Sequence, residues 1–312
     1  MLSRVADNLY WMSRYLERAE HTARVMGVHL NLMLEHDPSS EGRRWSRVLA
    51  CLGSKEPIEG DAFEAAQTWA LRQMTASINA ARENGRQVRE QISSEMWEQL
   101  NRLFHESKRL GTPEMWDSQP LDLLHSVTES SHSFQGVTDS TMIHGEGWQF
   151  IQVGRFMERA QQTARLVDLH FAEFFRDDGE SMNASEHMEW IGLLRSCTAF
   201  EAYCKVYTAE LRPARVAEFL LMNSEFPHSV RFAVDQLRRS LEAVHTATAT
   251  TKSDRLGKLA GRLTASLSYT PLEEIMTSLR EFTVNILRLC GQIHSGLYQV
   301  YITYPIEAAL QA

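Results

Sequence analysis

Hydrophobic residues recur at alternating steps of three and four along most of the chain, which is the spacing of one buried face of an α-helix. The first long stretch of this kind covers residues 3–35, and a second covers about 142–176. Only 8 prolines and 16 glycines interrupt the 312 residues. No alternating stretch bounded by hairpin turns competes with the helical pattern. The pattern therefore predicts an all-α protein built from long helices.

The same periodicity predicts further helices, separated by proline, glycine and short polar turns. Trp45 and Trp190 occupy similar places in the helices that follow the two long ones. The expected segments are 42–52, 61–84 with a second part to 92 that continues the helix or restarts it after a bend at Gly85, about 97–110, 117–138, 185–209, 214–222, a helix beginning within 226–233, 253–268 and 271–304.

Part of the first long helix is repeated in the second. Residues 14–30 align without a gap on 155–171, and eight of the 17 positions are identical, where about one match would be expected by chance. In the first copy the matched positions are Arg14, Glu17, Arg18, Ala19, Thr22, Ala23, Arg24 and His29. This predicts an internally duplicated helical bundle with two related halves, 1–138 and 139–312, which we expect to form one compact unit.

The charged residues of the repeat lie away from the hydrophobic seam of the helix. They are Arg14, Glu17, Arg18, His21 and Arg24 in the first copy and Arg155, Glu158, Arg159 and Arg165 in the second. The charges match between the copies although several apolar neighbours have changed, which indicates a constraint on the charges. Three interpretations remain open: a buried Arg–Glu network joining the halves, an anion or ligand site, and a solvated face with i,i+4 pairs. We favour the network.

Composition narrows the class of partner. The net charge is -8 with a pI of about 5.9, and no basic block stands out, so general nucleic-acid or anionic-membrane binding is disfavoured. No run of about 18 apolar residues predicts a membrane span, and the N-terminus lacks a signal-peptide core. The four cysteines contain no C-x-x-C pair and are interpreted as small core residues. These features favour a cytoplasmic protein of bacterial type.

Catalytic signatures are missing from the sequence. It has no glycine-rich phosphate loop and no nucleophile elbow, and no cysteine–histidine pairing can be argued. The pair Glu225 and His228 has the spacing of a carboxylate di-metal motif, but Pro227 lies inside it and no second copy exists. We therefore predict no metal and no cofactor. Catalytic residues stay unknown, and a non-catalytic role is favoured over an enzyme.

Several segments resemble the alpha-E domain family, bacterial helical proteins named for a Glu-Arg motif. The similar segments are 2–11, 14–20, 81–84 with Arg86 and Arg89, 154–160 and 293–305. The resemblance covers nearly the whole chain and adds Arg82 and Glu83 to the candidate binding or ionic residues. A second copy of the 81–84 motif is not maintained at 233–236, so any role for it belongs to the first half.

The resemblance implies partners more than chemistry. Members of the family have no settled activity, and are typically encoded beside, or fused with, a circularly permuted ATP-grasp protein, often with a transglutaminase-like peptidase. This implies an accessory or scaffold component of an amide-ligase system that makes or modifies peptides and that binds the ligase or an anionic or peptide intermediate. The alternatives are an enzyme of an uncharacterised helical class with a Glu/Arg-lined pocket, and a homodimeric structural module.

Overall fold

The computed structural model describes residues 1–33, 41–175, 182–208, 210–248 and 254–303, and within these ranges the regular structure is entirely helical. The predicted all-α fold is confirmed. The helices are α1 (Ser3–Met33), α2 (Glu41–Leu52), α3 (Ala62–Gln87), α4 (Ser94–Leu110), α5 (Pro113–Ser118), α6 (Pro120–Thr141), α7 (Glu146–Phe174), α8 (Ala184–Ser196), α9 (Phe200–Tyr207), α10 (Pro213–Met222), α11 (Val230–Thr248), α12 (Asp254–Tyr269), α13 (Leu272–Thr277) and α14 (Leu279–Leu297). A 3₁₀ turn at Arg89–Gln91 and a π turn at Tyr298–Ile302 complete the order.

The helix boundaries differ from the predicted ones in a few places. Helix α3 continues through Gly85 to Gln87 without restarting, and a Cβ atom at Gly85 would lie 2.6 Å from Cδ1 of Leu100, so this glycine allows α4 to approach closely. The segment 185–209 forms two helices, because Thr198 takes a positive φ of 51° between them. The segment 271–304 is likewise divided at Ser278. The short helix α5 was not predicted. The predicted ends at 35, 176, 209, 253 and 304 lie outside the described residues.

Helices α1 and α7 pack against each other along the centre of the molecule. Helix α1 is also flanked by α3 and α6, and α7 is flanked in the same way by α11 and α14. Helix α2 crosses over to pack on α7, and α8 crosses to pack on α1. Because neighbours surround both central helices, their charged residues are buried together with their apolar ones.

Gly154 marks the closest approach of the two central helices. A Cβ atom at this position of α7 would lie 2.3 Å from the backbone oxygen of Tyr10 and 3.3 Å from Cβ of Ser13, both on α1. Backbone cannot yield as a flexible side chain can, so only glycine permits this approach.

We expect Gly154→Ala to lower the free energy of unfolding by about 1–3 kcal/mol, because the added methyl group forces α1 and α7 apart. Gly136→Ala is the matched control, since it is also in a helix and has open space around the new methyl group. It should be neutral or stabilising by up to about 1 kcal/mol. Urea denaturation measures both, and equal effects of the two substitutions would contradict the proposed close approach.

The four cysteines are free thiols. Cys51, Cys197 and Cys290 are buried, and burial raises the pKa of each to about 12. Cys204 is half-buried. These positions agree with the interpretation of the cysteines as core residues. Over the described ranges, the helices are too short or too polar to cross a bilayer.

Candidate functional site

Glu158 of α7 binds two arginines of α1. Nε of Arg14 donates to its Oε2 at 2.7 Å, and Nε of Arg18 donates to its Oε1 at 2.7 Å. Gln162 adds a weaker contact at 3.4 Å from one turn further along α7. Charge-assisted hydrogen bonds of this kind are stronger than neutral ones. One carboxylate in the second half is therefore held by two guanidinium groups from the first.

Glu17 of α1 makes the reciprocal contact with α7. Arg159 donates to both of its carboxylate oxygens, at 2.5 and 3.0 Å, in a bidentate pair. Glu17 is 2% exposed and Arg159 is 4% exposed. Each Glu-Arg dipeptide thus pairs its acid with a base of the other dipeptide. The interpretation as a solvated face is wrong for these residues, because the packing of α3, α6, α11 and α14 around α1 and α7 removes water from them.

The other residues of the repeat are held less symmetrically. Arg24 pairs with Glu20 of its own helix at 2.7 Å, and a weaker contact of 3.4 Å joins it to His21. Arg155 donates to Gln135 at 2.5 Å, and Gln135 in turn donates to Glu17 at 3.3 Å. The structure therefore brings most of the predicted residues together. Arg165 makes no hydrogen bond or ion pair with the described residues, but it lies close to Arg14, His21 and Glu158. The exceptions are Arg82 and Glu83. Glu20 was missed because Gln161 replaces it in the second copy.

Burial and charge fix the protonation states of this network. Burial alone would raise the pKa of Glu158, but the positive charges of Arg14 and Arg18 outweigh it and lower the pKa to about 2. Arg24 has the same effect on buried Glu20, whose pKa is also about 2. Burial lowers the pKa of His21 to about 3, assisted by the charge of Arg24. At neutral pH Glu158 and Glu20 are therefore ionised and His21 is neutral.

Arg82 and Glu83 lie elsewhere, on α3. Arg82 donates to Asn101 of α4 at 2.7 Å and stacks over Phe104, with its guanidinium carbon 4.4 Å from the ring centre. Glu83 is exposed and pairs with Arg86 at 2.7 Å. Within the described residues, no hydrogen bond or ion pair joins either side chain to the network of α1 and α7.

A second buried ionic cluster was not predicted. Arg44 and Arg47 of α2 bind Glu189 of α8 at 3.0 and 2.5 Å, and Arg47 also binds Glu173 of α7 at 2.7 Å. Arg44 directly precedes Trp45, and Glu189 directly precedes Trp190. The similar positions of Trp45 and Trp190 were the sequence signal that could have led to this cluster. This cluster joins the crossed-over helices as the first network joins the central ones.

Helix α14 also contacts the network, because His294 of α14 contacts Tyr10 of α1. Tyr10 was not among the predicted site residues. Arg14 donates to the hydroxyl of Tyr10 at 2.9 Å, and that hydroxyl lies 2.8 Å from Nδ1 of His294. Arg14 therefore uses its guanidinium nitrogens on Glu158, Tyr10 and Gln161. It is a fully engaged structural cation.

A polar cavity of about 440 Å³ opens beside the network. Its volume lies in the range of small-molecule sites. It is lined by Arg14, Arg18, His21, Thr22, Cys51, Leu52, Gly53, Ser54, Lys55, Glu56, Trp69, Gln73, Glu158, Gln161, Gln162 and Arg165. Glu17 and Arg159 do not reach it. The contact of Glu158 with Arg14 and Arg18 therefore forms part of the cavity wall, and the loop between α2 and α3 forms another part.

Cations predominate in the cavity wall. Arg14, Arg18, Lys55 and Arg165 contribute positive charge, whereas the two lining acids already have partners. Glu158 binds Arg14 and Arg18, and Glu56 binds Arg72 at 2.5 Å. Arg165 and Lys55 have no carboxylate partner within the described part of the chain. The arrangement is chemically suited to an anion.

The fold and the cavity define an all-helical protein whose two longest helices exchange Glu–Arg pairs beside a cationic pocket. The chain belongs to the Alpha-E family, described as a predicted alpha-helical domain with a conserved ER motif, whose model matches residues 1–302. This confirms the family resemblance. The Glu-Arg dipeptides of this chain stand at 17–18 and 158–159.

The curated relatives are longer than this chain, and their names state no activity. Uncharacterised proteins of Mycobacterium tuberculosis and Mycobacterium bovis are each 22% identical over 325 aligned residues, covering 95% of this chain. The chain spans only 36% of the length of these relatives. No solved structure matches the chain significantly.

Proposed function

We propose that this protein is a ligand-binding accessory component of an ATP-grasp amide-ligase system and that it holds an anionic or peptide intermediate in the cavity beside Glu158. The observation that carries the proposal is the cavity itself: its wall presents Arg165 and Lys55, which have no counter-ion among the described residues, in a protein whose net charge is -8. A positive pocket on an acidic protein selects anions by charge.

The cavity supports binding better than proton transfer or covalent catalysis. A general acid or base works best with a pKa near the working pH. The pKa of Glu158 is about 2, that of His21 is about 3, and burial raises the pKa of the Cys51 thiol to about 12. Each of these groups is therefore in its unreactive form at pH 7. Binding without catalysis by this chain is the simpler function for such a site.

The ATP-grasp partner and the internal duplication are supported by separate observations. The partner rests on the family resemblance, and the length of the mycobacterial relatives leaves room for a further domain fused to the helical one. The duplication rests on the repeated segment at 14–30 and 155–171 and on the similar surroundings of α1 and α7. We infer that two copies of one helical unit face each other across the Glu–Arg pairs.

Co-purification with the ATP-grasp protein of the same system tests this proposal. We expect a stable complex, and we expect amide formation by the ligase to depend on this protein. Arg18→Gln should reduce that stimulation, because Arg18 lines the cavity and keeps 36% of its side chain exposed. Arg86→Gln, at an exposed pair far from the cavity lining, should leave it unchanged. Failure to associate under any nucleotide condition would contradict the partnership.

A further inference from the structure

The hydrogen-bond donors of the cavity are only partly engaged by the protein. Arg18 donates to Glu158 through Nε, and its two terminal nitrogens have no hydrogen bond within the described chain. Arg165 is half-buried and makes no hydrogen bond or ion pair with the described residues. Gln161 accepts from Arg14 through Oε1, which leaves its amide nitrogen as a donor. The cavity therefore offers several strong donors to a ligand.

The carboxylate oxygens in the cavity are engaged, in contrast. Both carboxylate oxygens of Glu158 bind guanidinium groups of α1, and both oxygens of Glu56 accept from Arg72. A ligand that matches this wall supplies acceptor oxygens and negative charge and needs few donors of its own.

The free cations lie on one wall. Gly53 has a positive φ of 91°, and a Cβ atom there would lie 2.6 Å from Nη1 of Arg165, so the Arg165 guanidinium lies against this loop. Lys55 follows two residues later in the same loop and also lines the cavity. Two uncompensated positive charges at one wall favour a compact group with two negative charges over a single carboxylate.

We propose that the cavity binds a ligand through a phosphoryl group. Its main contacts are Arg165 of α7 and Lys55 of the loop between α2 and α3. This inference rests on the proposed function and names the chemical class of its ligand. A phosphoryl group carries up to two negative charges and three terminal oxygens, which can accept from Arg165, Lys55 and Arg18 together. A carboxylate of the same ligand skeleton offers one charge and two oxygens.

Isothermal titration calorimetry with two probes tests the proposal. Phenyl phosphate presents the phosphoryl group beside an aromatic ring, for which Trp69 of the lining offers an apolar contact, and benzoate presents the same ring with a carboxylate. We expect phenyl phosphate to bind with one-to-one stoichiometry and at least about tenfold more tightly than benzoate. Binding should weaken with added salt, because the contacts are ionic.

Two variants and one control identify the wall that binds. Arg165→Gln should weaken phenyl phosphate at least about tenfold, because it removes a charged donor and keeps a polar side chain. Lys55→Gln should weaken it about threefold, because Lys55 is exposed. Arg86→Gln should bind as the original protein does. Circular dichroism checks that every variant is folded.

The outcomes separate this inference from the proposed function. Equal affinity for phenyl phosphate in the original protein and Arg165→Gln would overturn the assignment of this wall. Tighter binding of benzoate than of phenyl phosphate, lost in Arg165→Gln, would overturn the phosphoryl class and leave an anion-binding accessory protein. Binding of neither probe, together with no association with the ligase, would overturn both.

Discussion

Glu158→Gln should lower the free energy of unfolding by about 3–5 kcal/mol, which is the usual cost of removing one partner from a buried ion pair. Glutamine keeps the shape of the side chain but not its charge. Arg14, 6% exposed, would lose its counter-ion, and so would Arg18. Glu17→Gln should have a similar effect, because it leaves the buried guanidinium of Arg159 without a bidentate carboxylate.

Glu83→Gln is the matched control for these two substitutions. Its carboxylate pairs with Arg86 at the surface, where water and salt screen the attraction, so the substitution should leave the free energy of unfolding nearly unchanged. Chemical denaturation at pH 7 measures all three variants. If Glu158→Gln melted at the same temperature as the original protein while the stimulation of the ligase was lost, the network would be functional without being structural, and our account of its energetics would be wrong.

Lowering the pH from 6.5 to 5 should reduce stability by up to about 5 kcal/mol. His21 and His170 are buried, and His228 is half-buried. Desolvation by the surrounding protein lowers the pKa of each, helped by the charges of Arg24, Arg47 and Arg159 respectively. Each histidine takes up a proton near pH 6.5 in the unfolded chain but stays neutral in the folded protein. Unfolding therefore binds protons, and each site contributes up to about 1.4 kcal/mol per pH unit.

The acids of the network act in a different pH range. Because the folded pKa values of Glu20 and Glu158 are about 2, their contribution is present above about pH 4.5 and is lost between 4.5 and 2. The interval from 6.5 to 5 thus isolates the histidines.

His21→Gln tests the histidine effect directly, since glutamine stands at the equivalent position 162 of the second copy. The variant should retain about 2 kcal/mol more stability at pH 5, relative to its own value at pH 7, than the original protein does. Exposed His105→Gln is the control and should not change the slope. An identical pH slope in His21→Gln and the original protein would contradict a neutral, buried His21.

The sequence predicted the helices well, because amphipathic periodicity records which face of each helix is buried. It failed where a single backbone angle decides the outcome, as at Thr198, and where a glycine serves packing, as at Gly85. A glycine that admits a neighbouring helix and one that bends its own helix look alike without the neighbour.

The repeat also predicted the residues of the network, but it did not predict which arginine pairs with which glutamate. These residues are Arg14, Glu17, Arg18, Glu158 and Arg159. A helical wheel places charges opposite the seam and takes that side as solvent. It cannot show that other helices cover it. Arg44 and Glu189 escaped notice for a related reason: the partners lie on different helices, and each copy carries the opposite charge at the equivalent position. The cavity could not be predicted, because it needs the loop at Gly53 to meet Arg165.

The reciprocal exchange of Glu–Arg pairs has a consequence for synthesis on the ribosome. When the first half has emerged, Glu17 still lacks Arg159, and Arg14 and Arg18 still lack Glu158, since those partners are encoded more than a hundred residues downstream. A nascent first half would have to bury bare charges to complete its core. The centre of the molecule can therefore close only after α7 has left the ribosome, which couples the packing of α1 to the synthesis of α7.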